Sequence, residues 1–292
     1  MKTIGFIGLG AMGLPMALNL CKAGFPLLIH SSNPQSAAAV EAEGAKSVAS
    51  FKEMAEKADV IITILPTDKE VIDMYTSEGG LVDSMRDGAV CIDMTSASGT
   101  TKQAIAEYAA KKGKPVGVVD APVSGGAPGA KAGTLTIMVG CDGELYNDNL
   151  AIFEAMGQKI VHTGDLGSAS NIKTLNQMLN AGNSAVACEV LSVAKKMGVD
   201  LNKLYDIVND SSGGSFVFKN NTPRYVFDQG HEPGFRLDLM KKDVGLFLES
   251  SRQTHSFTPI AEFVHQVYKA TSNQGHGDKN TTYIFKWYED NQ

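Results

Sequence analysis

The sequence predicts a doubly wound α/β domain followed by an all-α domain, on three observations. Short apolar runs alternate with amphipathic stretches over residues 1–164. A glycine-rich turn, Gly8-Leu9-Gly10-Ala11-Met12-Gly13, directly follows the first apolar run. Beyond residue 164 the strand signals stop, and Ala169–Met197 runs in one helical pattern with no proline. A chain of 292 residues suits two domains, because single cores stop growing near that length. The predicted domains are 1–164 and 165–292.

In chain order, the candidate strands are Thr3–Gly8, Leu27–His30, Val60–Leu65, Ala89–Asp93, Gly117–Asp120, Thr134–Val139 and Lys159–His162. Between them lie helical patterns at Leu14–Ala23, Pro34–Glu43, Ser50–Lys57, Lys69–Tyr75, Thr100–Lys112 and Glu144–Met156. Apolar strands separated by helices imply a parallel sheet covered on both faces, since right-handed crossovers put the helices there. The second half carries helical patterns at Leu201–Asn209, Asp238–Thr254 and Thr258–Thr271. Its long first helix would reach about 45 Å at 1.5 Å per residue, longer than a small domain is wide. That length favours packing against a second subunit, as a homodimer or homotetramer.

Composition narrows the function classes. The chain is 43% hydrophobic and 20% charged, which excludes a disordered polymer. A net charge of −6 leaves no footprint for nucleic acid and no basic block for anionic lipid. Cys21, Cys91, Cys141 and Cys188 are dispersed, the pattern of buried thiols in a reducing compartment. The six histidines form no ligand spacing, so no metal site is expected. The apolar run to Leu20 imitates a signal peptide, but Gly5, Gly8, Gly10 and Gly13 interrupt it. No stretch is apolar for long enough to span a membrane. A cytoplasmic location is expected.

Gly8–Gly13 matches G-x-G-x-x-G between a strand and a helix, with Leu14-Pro15 opening the helix. Glycines there permit a tight turn and close backbone approach to a pyrophosphate, and the helix N-terminus supplies N–H groups. Gly8, Gly10, Ala11, Met12 and Gly13 are therefore candidate NAD(P) contacts in a Rossmann-like domain. The bland alternative is a glycine-rich turn with no ligand. After the second strand, Ser31-Ser32-Asn33 stands where an acid would hold the adenosine ribose of NAD. Neither an acid nor an arginine is present. Without a carboxylate to repel a 2′-phosphate, Ser31 and Ser32 lean toward NADP(H). Leu65 and Pro66, with Thr95 and Ser96, fall at strand C-terminal ends, where α/β sheets bind ligands. Their bland reading is strand-end turn chemistry.

Gly5–Leu20 (GFIGLGAMGLPMALNL) strongly resembles the opening signature of the β-hydroxyacid dehydrogenase family. Three further motifs follow in the family's order. Asp120–Gly126 (DAPVSGG) resembles its substrate-binding segment, Gly167–Gln177 (GSASNIKTLNQ) its catalytic segment, and Phe235–Glu249 (FRLDLMKKDVGLFLE) its cofactor-contacting helix. His162-Thr163-Gly164 and Pro233-Gly234-Phe235-Arg236 are similar to the tartronate semialdehyde reductase branch. The resemblance implies NAD(P)-dependent oxidoreduction of small 3-hydroxy acids and carboxylate-bearing semialdehydes, of the 2-hydroxy-3-oxopropionate or 3-hydroxyisobutyrate type.

Hydride transfer needs a proton donor or acceptor at the substrate oxygen, an anchor for the substrate and a clamp for the cofactor. Lys173, Asn176, Asn180 and Asn183 share one stripe of a helix whose other residues include Ile172, Leu175, Met178, Leu179 and Val186. An arbitrary Lys/Asn stripe is usually a solvated face. Such a face carries several acids, and here the next is Glu189. The resemblance implies Lys173 as general acid/base and Asn176 as the group orienting substrate or amine. Burial and a cationic nicotinamide both disfavour a lysine's charged form, which suits that role. Family members often carry a second Asn after the first; here it is Gln177. Ser124, Gly125 and Gly126 form a plausible cradle for a substrate carboxylate, against the bland reading of a loop with unusual backbone angles. Lys242, beside Asp243, is implied as a cofactor contact, although a lysine beside Lys241 is ordinarily a surface residue. Phe235, Trp287 and Tyr288 read as core more than as a pocket. Asp278-Lys279-Asn280 departs from the family's acid before a small hydroxyl.

Two other function classes remain open at this level. One is a dinucleotide-binding module without catalysis, which would be free to lose Lys173 and Asn176. The other is a decarboxylating sugar-acid dehydrogenase of the 6-phosphogluconate type, whose phosphate calls for a basic cluster that the second half lacks. Glyoxylate and succinic semialdehyde are further candidate substrates within the same family.

Overall fold

A computed structural model describes residues 1–228 and 234–291. The chain divides into two compact units, Met1–Lys173 and Thr174–Gln292. The division falls inside the long helix, a little beyond the change of sequence character at residue 164, so that helix's first turns belong with the sheet.

The first unit contains β1 (Ile4–Ile7), α1 (Gly13–Lys22), β2 (Leu27–Ile29), α2 (Pro34–Glu41), β3 (Lys46–Ser47), α3 (Phe51–Lys57) and β4 (Val60–Thr63). It continues with α4 (Asp68–Thr76), α5 (Leu81–Ser84), β5 (Val90–Asp93), α6 (Gly99–Lys111), β6 (Gly117–Asp120) and β7 (Val123–Ser124). It ends with α7 (Gly126–Ala132), β8 (Leu135–Gly140), α8 (Gly143–Glu154) and β9 (Gly157–Gly164). The long helix α9 (Ser168–Lys196) starts in this unit and runs into the second.

The sheet order is β3-β2-β1-β4-β5-β6-β8-β7, with β9 also paired to β8. From β3 to β6 every pairing is parallel. The order reverses between β1 and β4, which places a ligand crevice at the strands' carboxyl ends. Alternate residues of each strand feed opposite cores. Ile4, Phe6, Val60, Ile62 and Ile92 join one cluster, while Ile7, Ile61 and Cys91 join the other. The sheet is thus buried on both faces, as its unbroken apolar runs require.

The expected fully parallel sheet holds only this far. β8 runs antiparallel to β6 and β7, touching β6 through the single pair Asp120↔Gly140. The two-residue strands β3 and β7 and the short helices α5 and α7 carry too few residues for a periodic signal.

In the second unit, α9 continues to Lys196 and is followed by α10 (Leu201–Asn209), α11 (Phe216–Asn221), α12 (Leu237–Gln253), α13 (Pro259–Thr271) and α14 (Ile284–Asn291). Its main core joins Ala181, Ala185 and Cys188 of α9 to Met240 and Val244 of α12, Tyr268 of α13 and Ile284 of α14. Phe235, Trp287 and Tyr288 belong to this core. No helix among the described residues is long and apolar enough to cross a membrane. All four cysteines are free thiols, and burial pushes those of Cys141 and Cys188 up to about 12. The described residues hold no His, Cys, Asp or Glu cluster that could bind a metal.

Candidate active site

The loop from β1 to α1 shows what each glycine does. Gly8 has φ +104°, and a Cβ there would sit 2.2 Å from the Ile64 carbonyl oxygen. A Cβ on Gly13 would lie 1.8 Å from the Gly8 carbonyl oxygen. Backbone atoms cannot yield, so both glycines are demanded by the fold. Gly10 differs: it is exposed, and a Cβ there would meet nothing within 4 Å. The chain leaves open space where the fingerprint requires room for a pyrophosphate, and α1 points its N-terminus from the same loop. Ala11 is exposed and Met12 half-buried beside it. The residues present fit a bound dinucleotide.

The neighbouring strand ends supply the rest of that edge. Asn33 caps α2, its Oδ1 accepting from the N–H groups of Gln35 (3.0 Å) and Ser36 (3.2 Å). The Ser31 hydroxyl accepts from Asn33 N–H at 3.1 Å, while Ser32 is exposed. After β4, Leu65 is half-buried and Pro66 exposed; after β5, Ser96 is half-buried. Thr95 is buried instead. Its hydroxyl donates to Asp93 Oδ1 at 2.7 Å and accepts from Leu65 N–H at 2.9 Å, tying the two strand ends together.

The Ser124-Gly125-Gly126 turn ends β7 and opens α7. Gly125 has φ +133° and Gly126 φ +61°, conformations that L side chains rarely adopt. Gly125 is exposed and Ser124 half-buried, so this backbone is reachable from solvent. At the head of the same motif, Asp120 holds the start of α9. Its Oδ2 accepts from Ser170 N–H at 2.7 Å and its Oδ1 from the Ser170 hydroxyl at 2.6 Å. One turn further along α9 stands Lys173, only 7% exposed. A lysine is rarely this buried without a reason.

In the second unit the stripe expected on α9 divides. Asn176 and Asn183 are exposed and Asn180 half-buried. Gln177 is the buried amide: its Nε2 donates to Asp243 Oδ2 at 2.7 Å, and its Oε1 accepts from Asn176 Nδ2 at 3.2 Å. Lys242 Nζ lies 3.0 Å from Asp243 Oδ1, an ion pair lacking hydrogen-bond geometry. The apolar neighbours Ile172, Leu175, Leu179 and Val186 are exposed, so the Asn residues border two apolar faces, one inward and one outward. Asn280 is buried and caps a short turn, its Oδ1 accepting from Thr282 N–H at 3.0 Å. Pro233 lies outside the described residues.

Sequence patterns assign no role to Asp93, Lys102 or Asp243 and set Gln177 aside in favour of Asn176. A helix-facing plot of Ser170, Lys173, Gln177, Ala181 and Ser184, one residue per turn, marks the inward face and finds Gln177. The Lys102–Asp93 pair carries no such signal.

The chain is similar to known proteins over its whole length. A model described as the NAD binding domain of 6-phosphogluconate dehydrogenase matches residues 3–164. A second, described as the NAD-binding part of NADP-dependent 3-hydroxyisobutyrate dehydrogenase, matches residues 167–288. The 2-(hydroxymethyl)glutarate dehydrogenase of Eubacterium barkeri is 34% identical over 98% of this chain and 94% of its own. The NAD-dependent L-serine dehydrogenase of Pseudomonas aeruginosa is 32% identical over 100% of this chain and 99% of its own. The solved 3-hydroxyisobutyrate dehydrogenase of Mycobacterium tuberculosis, studied with L-serine, superposes with a TM-score of 0.88 at 31% identity, covering 98% of this chain and 99% of its own. By two matched domains and whole-length relatives, the chain belongs to the β-hydroxyacid dehydrogenase family, NAD(P)-dependent oxidoreductases that act on CH–OH groups.

Proposed function

We propose that this protein interconverts a small 3-hydroxy acid and its semialdehyde, with Lys173 as the general acid/base. The observation carrying this reading is the buried lysine, Lys173, on the first turns of α9, in the same compact unit as the open Gly10 loop and the Ser124–Gly126 turn. NAD(P), when bound, accepts hydride from the alcohol carbon or returns it to the aldehyde. Lys173 takes the hydroxyl proton during oxidation and gives it back during reduction. The exposed backbone of Gly125, the half-buried Gly126 and the Ser124 hydroxyl receive the carboxylate. Asn176 orients the substrate oxygen, and Lys242 serves the cofactor.

The relatives' names suggest the substrate class. 3-Hydroxyisobutyrate, L-serine and 2-(hydroxymethyl)glutarate each carry a hydroxymethyl group on the carbon that bears the carboxylate. We assign that arrangement to the substrate here, with tartronate semialdehyde (2-hydroxy-3-oxopropionate) the aldehyde suggested by His162-Thr163-Gly164. A spectrophotometric panel of these acids and aldehydes, with glyoxylate and succinic semialdehyde, tests it against both cofactors. Turnover of glyoxylate or succinic semialdehyde alone would sink the hydroxymethyl assignment.

The cofactor reading leans to NADP(H), supported by the absence of a carboxylate among residues 30–33. Ser31→Asp should shift the NADP/NAD preference toward NAD by about tenfold, roughly 1.4 kcal/mol; an unmoved ratio would place adenosine recognition elsewhere. A homodimer or homotetramer is supported by Leu175, Leu179, Val186, Val190 and Val193, an exposed apolar stripe spaced three, four and seven apart on α9. The free, largely buried thiols suit a cytoplasmic setting.

A further inference from the structure

We propose that Lys102, Asp93 and Asp120 form a buried clamp that positions the first turns of α9, and with them Lys173. The proposal rests on the reading of Lys173 as the proton carrier. Asp93 and Asp120 are the last residues of adjacent parallel strands β5 and β6 and stand directly opposite one another in register. Both carboxylates are fully buried, and so is Lys102 near the start of α6. Two carboxylates side by side in a buried site repel when both are ionised, and the Lys102 ammonium, ion-paired with Asp93, also favours the charged form of Asp120. Its Nζ bonds Asp93 Oδ2 and donates to the Thr95 carbonyl at 3.4 Å. Asp93 Oδ1 accepts from the hydroxyls of Thr63 and Thr95, each at 2.7 Å.

Asp120 spends both of its oxygens on Ser170. Ser170 N–H is among the first N–H groups of α9, which have no partner within the helix. A residue fifty positions earlier therefore caps the helix. Ser170 and Lys173 are three apart and share a helical face, so the bond that fixes the rotation of Ser170 also fixes the direction of Lys173. The start of α6 presses on the same helix entry: a Cβ on Gly99 would come within 3.0 Å of the Gly167 carbonyl oxygen and 3.1 Å of Asn171 Oδ1.

The Tyr75 hydroxyl and the Cys91 and Cys141 thiols beside the clamp stay neutral. Burial, reinforced by neighbouring carboxylates, pushes up the Tyr75 hydroxyl and the Cys91 and Cys141 thiols. Burial also raises the Asp120 carboxyl, and Lys102 with the Ser170 bonds opposes that rise. An apolar trio would hold two strand ends together at less desolvation cost. What it would lack is a directional acceptor for the helix entry.

The test compares Asp120→Asn, Ser170→Ala and Lys102→Met with Lys173→Ala, reading kcat, KM, dinucleotide Kd and the pH–rate profile. Asp120→Asn and Lys102→Met should lower kcat by roughly ten- to a hundredfold, as misplaced groups do. They should displace the alkaline limb of the kcat profile while leaving dinucleotide Kd within about twofold. Ser170→Ala should give a smaller change in the same direction, and it reports by the same criteria should either charge variant fail to fold. An unchanged kcat and limb would overturn the clamp. So would a kcat loss matched by weakened dinucleotide binding with the limb unmoved, since that is general loosening. Persistent turnover in Lys173→Ala would instead overturn the proton-carrier reading itself.

Discussion

The sheet unit and the helical unit treat apolar surface in opposite ways. Met1 and Ile172 are the large apolar residues exposed in the first unit, among the described residues. In the second unit the exposed ones include the α9 stripe, Ile207, Phe216, Phe257, Ile260 and Phe263. A sheet covered on both faces closes its own core, since the residues of its central strands β1, β4 and β5 are buried on both sides. A set of helices around one long rod buries a single stripe per helix and leaves the opposite faces to whatever else covers them. One unit closes its own core, whereas the other leaves apolar surface exposed.

The largest expected effect tests where the chemistry lies. Lys173→Ala should cut kcat by about 10²–10⁴-fold while the sheet unit still binds dinucleotide, measured by steady-state kinetics beside a binding titration. Turnover within about tenfold of the parent would move the proton donor elsewhere.

Next come the glycines of the self-contained unit. Gly13→Ala drives a Cβ into a backbone oxygen and should cost about 1–3 kcal/mol of stability in urea unfolding. Gly10→Ala has open space and should leave stability unchanged, yet weaken dinucleotide binding by about tenfold or more, about 1.4 kcal/mol. Equal behaviour of the two variants would remove the distinction between fold-demanded and ligand-demanded glycine.

The helical unit's outward face is tested by Leu179→Glu with Val186→Glu. The pair should shift sedimentation toward the monomer and make Tm independent of protein concentration. A parent that already sediments as a monomer would end the association reading.

The smallest effect is a pH slope. Burial lowers the His265 pKa, so the folded unit prefers the neutral ring. The unfolded chain takes up its proton first as pH falls below about 6.5, and stability declines from there down to the folded value. His265→Gln should flatten that slope in urea titrations between pH 7 and pH 5. The Asp238 carboxyl is held low by Lys241 and Ser272, so its loss of stability comes only in stronger acid.

Legibility in the sequence followed the range of each signal. Apolar runs marked β1, β2, β4, β5 and β6 because each strand is buried on both faces and needs no knowledge of its neighbours. The Gly8–Gly13 loop was legible because its demands are met within six consecutive residues, except for the contact with Ile64. Asn176 was preferred over Gln177 on motif grounds, and only packing against α12 shows Gln177 to be the inward amide. Thr95, read as a strand-end contact, proves to have its hydroxyl committed inward to Asp93.

Local composition by itself fixed the alternating strands, the turn that admits a pyrophosphate and the long apolar-sided helix, since nearest neighbours and short periods encode all three. The antiparallel course of β8, the inward face of α9 and the meeting of Lys102, Asp93 and Asp120 were decided by tertiary structure alone. Those features join residues far apart in the chain, and whether a charge is solvated or buried depends on neighbours that no local pattern names.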